Sequence, residues 1–158
     1  MFVVDTNLLL YGANEDAPDH AECLALVRQW RVQPLPWYLT WGIVFEFLRV
    51  VTHPHAIPHP WTLPHAWRFL ESLFASPGLR ILRETDRHRE VAAEVFAAYP
   101  NMSGNLLFDA RTAILMRENG VHTIYTRDTD FLRFPFLEAV DPVTQARAIA
   151  ARRRRRRR

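Results

Sequence analysis

Apolar positions along this chain come in two alternating kinds, short unbroken runs and longer stretches with helical spacing. The run "FVVD" at 2–5 has the length and β-branched content of a buried strand and ends on Asp5. Thr6 and Asn7 then offer caps for the apolar helical stretch that follows. Over about 19–32, Ala21, Leu24, Val27 and Trp30 recur near helical spacing behind Asp19 as a cap, and "PWYLT" reads as a second strand. Residues 42–52, "GIVFEFLRVVT", suit a helix after that strand, although their β-branched content also allows a strand. The proline-dense segment 53–65 is a loop. Helical spacing returns at about 63–75, followed by "PGLRIL" as turn and strand and by a helix over about 86–98 with Asp86 as its cap. "YPNMSGN" breaks that helix. A helix over 106–119 then stops at Gly120, "HTIYT" at 122–126 is a strand, a short helical turn lies near 129–133, and a last strand lies near 137–140. Short strands alternating with helices predict an α/β fold with a mostly parallel sheet and helices on both faces. No internal repeat is visible.

Composition narrows the picture. At 158 residues with 49% apolar and 23% charged residues, the chain matches one ordinary globular domain. No apolar run approaches the roughly 20 residues needed to cross a bilayer. The start "MFVVDTNLLL" carries Asp5, lacks a basic leader and shows no small-residue cleavage site, so a cytoplasmic location without membrane association is expected. A single cysteine, Cys23, excludes an internal disulfide and fits a reducing compartment. The formal charge of +3 misleads, because seven of the 20 basic residues are the terminal run from Arg152 to Arg158. The remaining 13 arginines face 17 acids, so the body of the chain is mildly acidic. Every basic residue is arginine. The absence of lysine disfavours phosphatases of the haloacid-dehalogenase type, phosphate-accepting receiver domains and P-loop enzymes, each of which relies on one.

The acids carry the candidate chemistry. In an open α/β sheet, ligands sit outside the carboxyl ends of the strands. Asp5 closes the first strand, and Asp128 and Asp130 follow the strand "HTIYT", so all three belong at that edge. Glu46 and Asp109 fall in about the first turn of helices whose N-termini point to the same edge. Carboxylates gathered so closely need a cation to remain ionised together. Hard oxygen donors favour Mg²⁺ or Mn²⁺, and such a cluster, with one metal or two, suits hydrolysis of a phosphodiester.

Together "VVDTN", "FEFLRVVTHP", "GNLLFDA" and "TRDTDF" resemble the PIN-domain family, and their order and spacing look most like the VapC-type ribonuclease toxins of toxin–antitoxin pairs. The resemblance covers about residues 1–142 and leaves 143–158 as an extension with a disordered poly-arginine tail. It implies a three-layer α/β/α sandwich with four to five strands. Asp5, Glu46, Asp109 and Asp128 match the family's acidic quartet, Asp130 matches an additional acid, and Asn7 and Thr126 match polar positions that support the ligands. It further implies Mg²⁺- or Mn²⁺-dependent cleavage of RNA, a homodimer, and inhibition by a small antitoxin protein.

Plainer readings stand beside these. Asp5 and Asp109 also suit helix N-termini, although Thr6 or Asn7 can cap the first helix equally well and the metal reading of Asp5 is preferred; Glu46 also suits a surface pair with Arg49, and Asp128 and Asp130 a polar turn. The histidines at 53, 55, 59 and 65 lack the spacing of a compact zinc site. Trp37, Trp41, Trp61 and Trp67 belong in a core or a dimer interface more readily than under RNA bases. The tail, with Arg152, Arg153 and Arg154 at its start, could attract RNA phosphate, lie across the acidic cavity, or be a tag. The rival functions are a catalytically silent RNA-binding module and a structure-specific DNA nuclease of the flap type.

Overall fold

In the computed structural model, which describes residues 1–148, five strands form one sheet: β1 (Phe2–Val4), β2 (Trp37–Thr40), β3 (Leu79–Leu82), β4 (Thr123–Tyr125) and β5 (Glu138–Val140). Their spatial order is β3-β2-β1-β4-β5 and every pairing is parallel. Helices α1 (Thr6–Ala13), α2 (His20–Val32), α3 (Trp41–Val51), α4 (Leu63–Phe74), α5 (His88–Ala98) and α6 (Leu106–Glu118) flank this sheet. A 3₁₀ turn spans Thr129–Arg133, and the described chain ends in a helical stretch over 142–148. The expected α/β/α sandwich is present at the upper end of its strand count.

Burial explains the element choices. Val3 and Val4 are fully buried, as the central strand of a sheet covered on both faces requires. In α3, Ile43, Val44, Phe47 and Val51 are buried at helical spacing, which settles the segment that β-branching left open in favour of a helix. Buried Trp37 donates its indole N–H to Ser76 Oγ at 3.2 Å, and Ser76 Oγ donates to the Trp30 carbonyl at 3.0 Å, so this tryptophan is core. Trp41 and Trp67 are 42% and 39% exposed and both lean on Phe74. Gly120 takes φ +67, and the amides of Val121 and Gly120 close onto the carbonyls of Met116 and Arg117, a Schellman ending for α6.

Three caps differ from expectation. Asp5, rather than Thr6 or Asn7, occupies the N-cap of α1, and its Oδ1 accepts the Thr6 amide at 2.7 Å. Arg87, not Asp86, precedes α5 and makes no side-chain cap. Asp19 does precede α2 but caps nothing, because its carboxylate is taken by Arg127 and Arg147. A charged hydrogen bond to a guanidinium outcompetes a neutral amide for the same oxygens.

The chain begins in the middle of the sheet, builds outward through β2 and β3, then returns to add β4 and β5 on the other side. The topological switch point therefore lies between β1 and β4, and the crevice at their carboxyl ends is where such a sheet places a ligand. The register Phe2↔Thr123, Val3↔Ile124, Val4↔Tyr125 brings Asp5 level with Thr126 at that edge. Among the described residues no helix is long and apolar enough to cross a membrane. The arginine run and its proposed contacts at Arg152, Arg153 and Arg154 lie outside the described residues, and Val143 is buried against the core.

Candidate active site

Asp5 leaves β1 in extended backbone and turns its side chain into the protein, where it is 8% exposed. A buried carboxylate needs donors, and here every one comes from the neighbouring turn or strand exit. Oδ1 takes the Thr6 amide; Oδ2 takes Asn7 Nδ2 at 2.6 Å and Thr126 Oγ1 at 2.6 Å. Thr126 is a hub, because the same hydroxyl that donates to Asp5 accepts from Asn7 Nδ2 at 3.0 Å and from the Asp128 amide at 2.8 Å. One donor and two lone pairs are thus all engaged. Asn7 completes the bridge by accepting the Arg127 amide on Oδ1 at 3.4 Å.

Thr126→Val tests the hub. It removes one donor from Asp5 and leaves two donors facing a methyl group, so a loss of about 1–3 kcal/mol is expected. Urea denaturation measures that loss, and an NMR titration should find Asp5 protonating at higher pH than in the parent chain. An unchanged midpoint in both would mean that water replaces the hydroxyl.

The other acids arrive from separate elements. Asp109 lies in the first turn of α6, whose following residues Ala110 and Thr112 to Met116 are buried in succession. The middle of that helix is enclosed, and Asp109 lies half-buried just before it, next to exposed Phe108. Glu46 sits one turn deeper in α3 than expected and its side chain is 46% exposed. Val44 and Phe47 point to the core while Glu46 and Phe45 point away, so the apolar run does not signal a special environment. Its position is nevertheless held, since Thr6 Oγ1 donates to Glu46 Oε2 at 2.8 Å, with Arg49 3.8 Å from Oε1. Asp128 caps the 3₁₀ turn by accepting the Asp130 amide at 2.8 Å, and Asp130 pairs with Arg133 at 3.2 Å.

Electrostatics show that these groups feel one another. Burial, followed by the charges of Asp5, Asp128, Asp130 and Glu46 in that order, pushes Asp109 up to about 7. Burial above all, with contributions from Glu46 and Asp128, pushes Asp5 up to about 6 against the hydrogen bonds from Thr126 and Thr6. Five acids from four stretches of chain therefore share one field. Hollows of about 400 and 570 Å³ lie elsewhere, the first beside Tyr99 and Phe134 and the second beside His20 and Trp61.

The donor chemistry fits a hard divalent cation: all candidates are oxygens, and the raised Asp5 and Asp109 are relieved by positive charge. Among the described residues, no three of His, Cys, Asp or Glu stand close enough to enclose an ion, so the carboxylates would have to draw inward around one.

Sequence reasoning missed three participants. The hydroxyl of Thr6, a cap candidate by sequence, holds Glu46, and Arg127 and Asp141 flank the edge. The pattern Thr-Arg-Asp at 126–128 was the available signal for Arg127, since a charged residue between two site residues must place its side chain somewhere.

The family model described as PIN domain matches residues 2–137. Ribonuclease VapC48 of Mycobacterium tuberculosis is 31% identical over 142 residues, covering 87% of this chain and 94% of its own. The VapC ribonuclease Mb2897 of Mycobacterium bovis is 31% identical over 138 residues, covering 85% and 90%. Among solved structures, M. tuberculosis VapC20, described as a sarcin-ricin loop cleaving toxin, superposes with a TM-score of 0.60 at 20% identity, covering 84% of this chain and 94% of its own. VapBC2 from Rickettsia felis, bound to a promoter DNA fragment, superposes with a TM-score of 0.58 at 17% identity, covering 88% and 96%.

Proposed function

Because the chain belongs to the PIN-domain family, among its VapC-type ribonucleases, we propose that it is the toxin of a toxin–antitoxin pair and cuts RNA at the edge bearing Asp5, Glu46, Asp109 and Asp128. The observation that carries this reading is the convergence on Asp109, whose carboxyl is pushed up to about 7 by burial and then by four other carboxylates. Asp5, Asp109, Asp128 and Asp130 would hold Mg²⁺, with Mn²⁺ as the alternative ion. When bound, the ion would neutralise charge on the scissile phosphate and activate a water. Thr126 and Asn7 keep Asp5 fixed, while Thr6 orients Glu46 towards the same edge. A protonated Asp109 must release its proton before it can act as a ligand, so metal affinity should rise as pH increases through about 7.

The remaining parts of the reading concern partners and place. An antitoxin protein is the regulator, the location is cytoplasmic, and the toxin forms a homodimer. Exposed Trp41, Phe45, Leu63 and Trp67 on α3 and α4 support a protein contact, since a cluster of large apolar side chains left in water is costly.

Purified protein incubated with total RNA tests the activity. Discrete cuts with Mg²⁺ or Mn²⁺, abolished by EDTA and restored by added metal, are expected. RNA binding without cutting would favour a silent RNA-binding module, and cutting confined to branched DNA would favour the structure-specific nuclease.

A further inference from the structure

We propose that Arg127 is a positioning residue for Asp128, held by a clamp of carboxylates outside the acidic edge; this rests on the nuclease reading above. Arg127 stands at a bend between Thr126 and Asp128, where the chain leaves β4. The Thr126 hydroxyl holds both Asp5 and the Asp128 amide, whereas the Arg127 guanidinium is drawn to Asp19 and Asp141, so Arg127 is directed away from the acidic side.

What receives Arg127 is an ion cluster drawn from three distant elements. Its Nη1 pairs with Asp19 at the start of α2, and its Nε lies 3.3 Å from Asp141 Oδ2 beyond β5. Asp141 is itself fixed, because its Oδ1 accepts the amides of Val143 and Thr144 at 2.9 and 3.2 Å and so caps the helix over 142–148. Asp19 is fixed too: Arg147 Nη2 reaches it at 2.7 Å and also holds Glu22 at 2.6 Å. Arg127 and Asp19 are only 27% and 16% exposed in their side chains, so the guanidinium is partly desolvated and cannot leave its partners cheaply.

The consequence reaches the site through the backbone. With the side chain pinned outward and its amide donated to Asn7 Oδ1, Arg127 has no freedom to rotate, and Asp128 is confined to the face where its amide meets Thr126 Oγ1. A free arginine beside an acidic edge would be available for RNA phosphate; this one is occupied on both sides by carboxylates.

The test uses the full chain with Arg127→Ala, Arg127→Lys and Asp19→Asn, and two readouts. Amide hydrogen exchange at Asp128 and Asp130 reports the order of the loop whether or not the protein cuts RNA. Steady-state cleavage with Mn²⁺ separates kcat from KM. Arg127→Ala should speed exchange at both amides and lower kcat about 100-fold, with KM nearly unchanged, the scale expected for misplacing a reacting group by about 1 Å. Arg127→Lys should recover part of both losses, and Asp19→Asn should move both in the direction of Arg127→Ala. Faster exchange in a chain that never cuts RNA would sink the nuclease reading and leave the clamp standing. The clamp is overturned if KM rises while kcat holds, which makes Arg127 an RNA contact, or if Asp19→Asn leaves exchange at the two amides unchanged. Should Arg127→Ala fail to fold, Asp19→Asn decides alone.

Discussion

Asp109→Asn should lose RNA cleavage by at least about 100-fold, since residues that merely support metal ligands already cost 10–100-fold when removed. The same variant should be more stable than the parent chain in the absence of divalent ions. Asp109 accepts no hydrogen bond among the described residues, so the amide forfeits no partner, while the repulsion from Asp5, Asp128, Asp130 and Glu46 is relieved. The pH dependence has a definite sign. The folded carboxyl is raised from the ordinary 3.8 to about 7, so its contribution to stability is fully present below about pH 4 and is lost as pH rises through 7. The gap in thermal midpoint between variant and parent in EDTA should therefore widen from pH 5 to pH 8, and Mg²⁺ or Mn²⁺ should narrow it by stabilising the parent. A gap that stays flat across that range would show that Asp109 does not sit in the shared field. Asp5→Asn is the poorer choice for this experiment, because both Asp5 oxygens accept donors and an amide would turn one N–H towards Asn7 or Thr126.

Gly78→Ala should damage the fold by about 3 kcal/mol or more, at the upper end for forcing atoms into a packed site. A Cβ there would sit 2.3 Å from the Leu35 carbonyl oxygen and 2.7 Å from that of Gln33, and backbone oxygens cannot rotate aside as a side chain can. The chain leading into β2 passes directly over this point, where the Trp37 amide bonds to the Gly78 carbonyl at 3.1 Å. Gly78 lies at the edge opposite the acids, just before β3 begins. Urea denaturation should show the loss, whereas kcat of the folded fraction should match the parent. A loss below about 1 kcal/mol would mean that the 33–37 segment shifts outward at little cost, which the usual expense of overpacking argues against.

These two sites differ in how visible they were beforehand. Asp109 stood out as a charge in an apolar helical run, a local conflict of the kind expected at functional sites. Gly78 showed itself only as part of a turn, because the carbonyls that forbid a side chain belong to a segment more than forty residues earlier. Glu46 falls between them. Its apolar neighbours suggested burial, but helical rotation sends Val44 and Phe47 inward and leaves Glu46 at the surface with Phe45 and Arg49, where the hydroxyl of Thr6 gives it a fixed place.

By itself the sequence located the strands and helices to within a residue or two, because periodicity, glycine stops and turn residues act over a few positions, and it left only the type of the 42–52 segment open. It also picked out the candidate acids, since charges at strand exits and within apolar runs are local facts. Only the tertiary structure decided the strand order, the alignment of Asp5 with Thr126 across a separation of 121 residues, the Thr6 to Glu46 bond across 40, and the diversion of Asp19 from capping α2 to holding Arg127 across 108. Such contacts depend on where independent elements come to rest against a common core, and that is fixed by packing over the whole chain rather than by the residues adjacent to either partner.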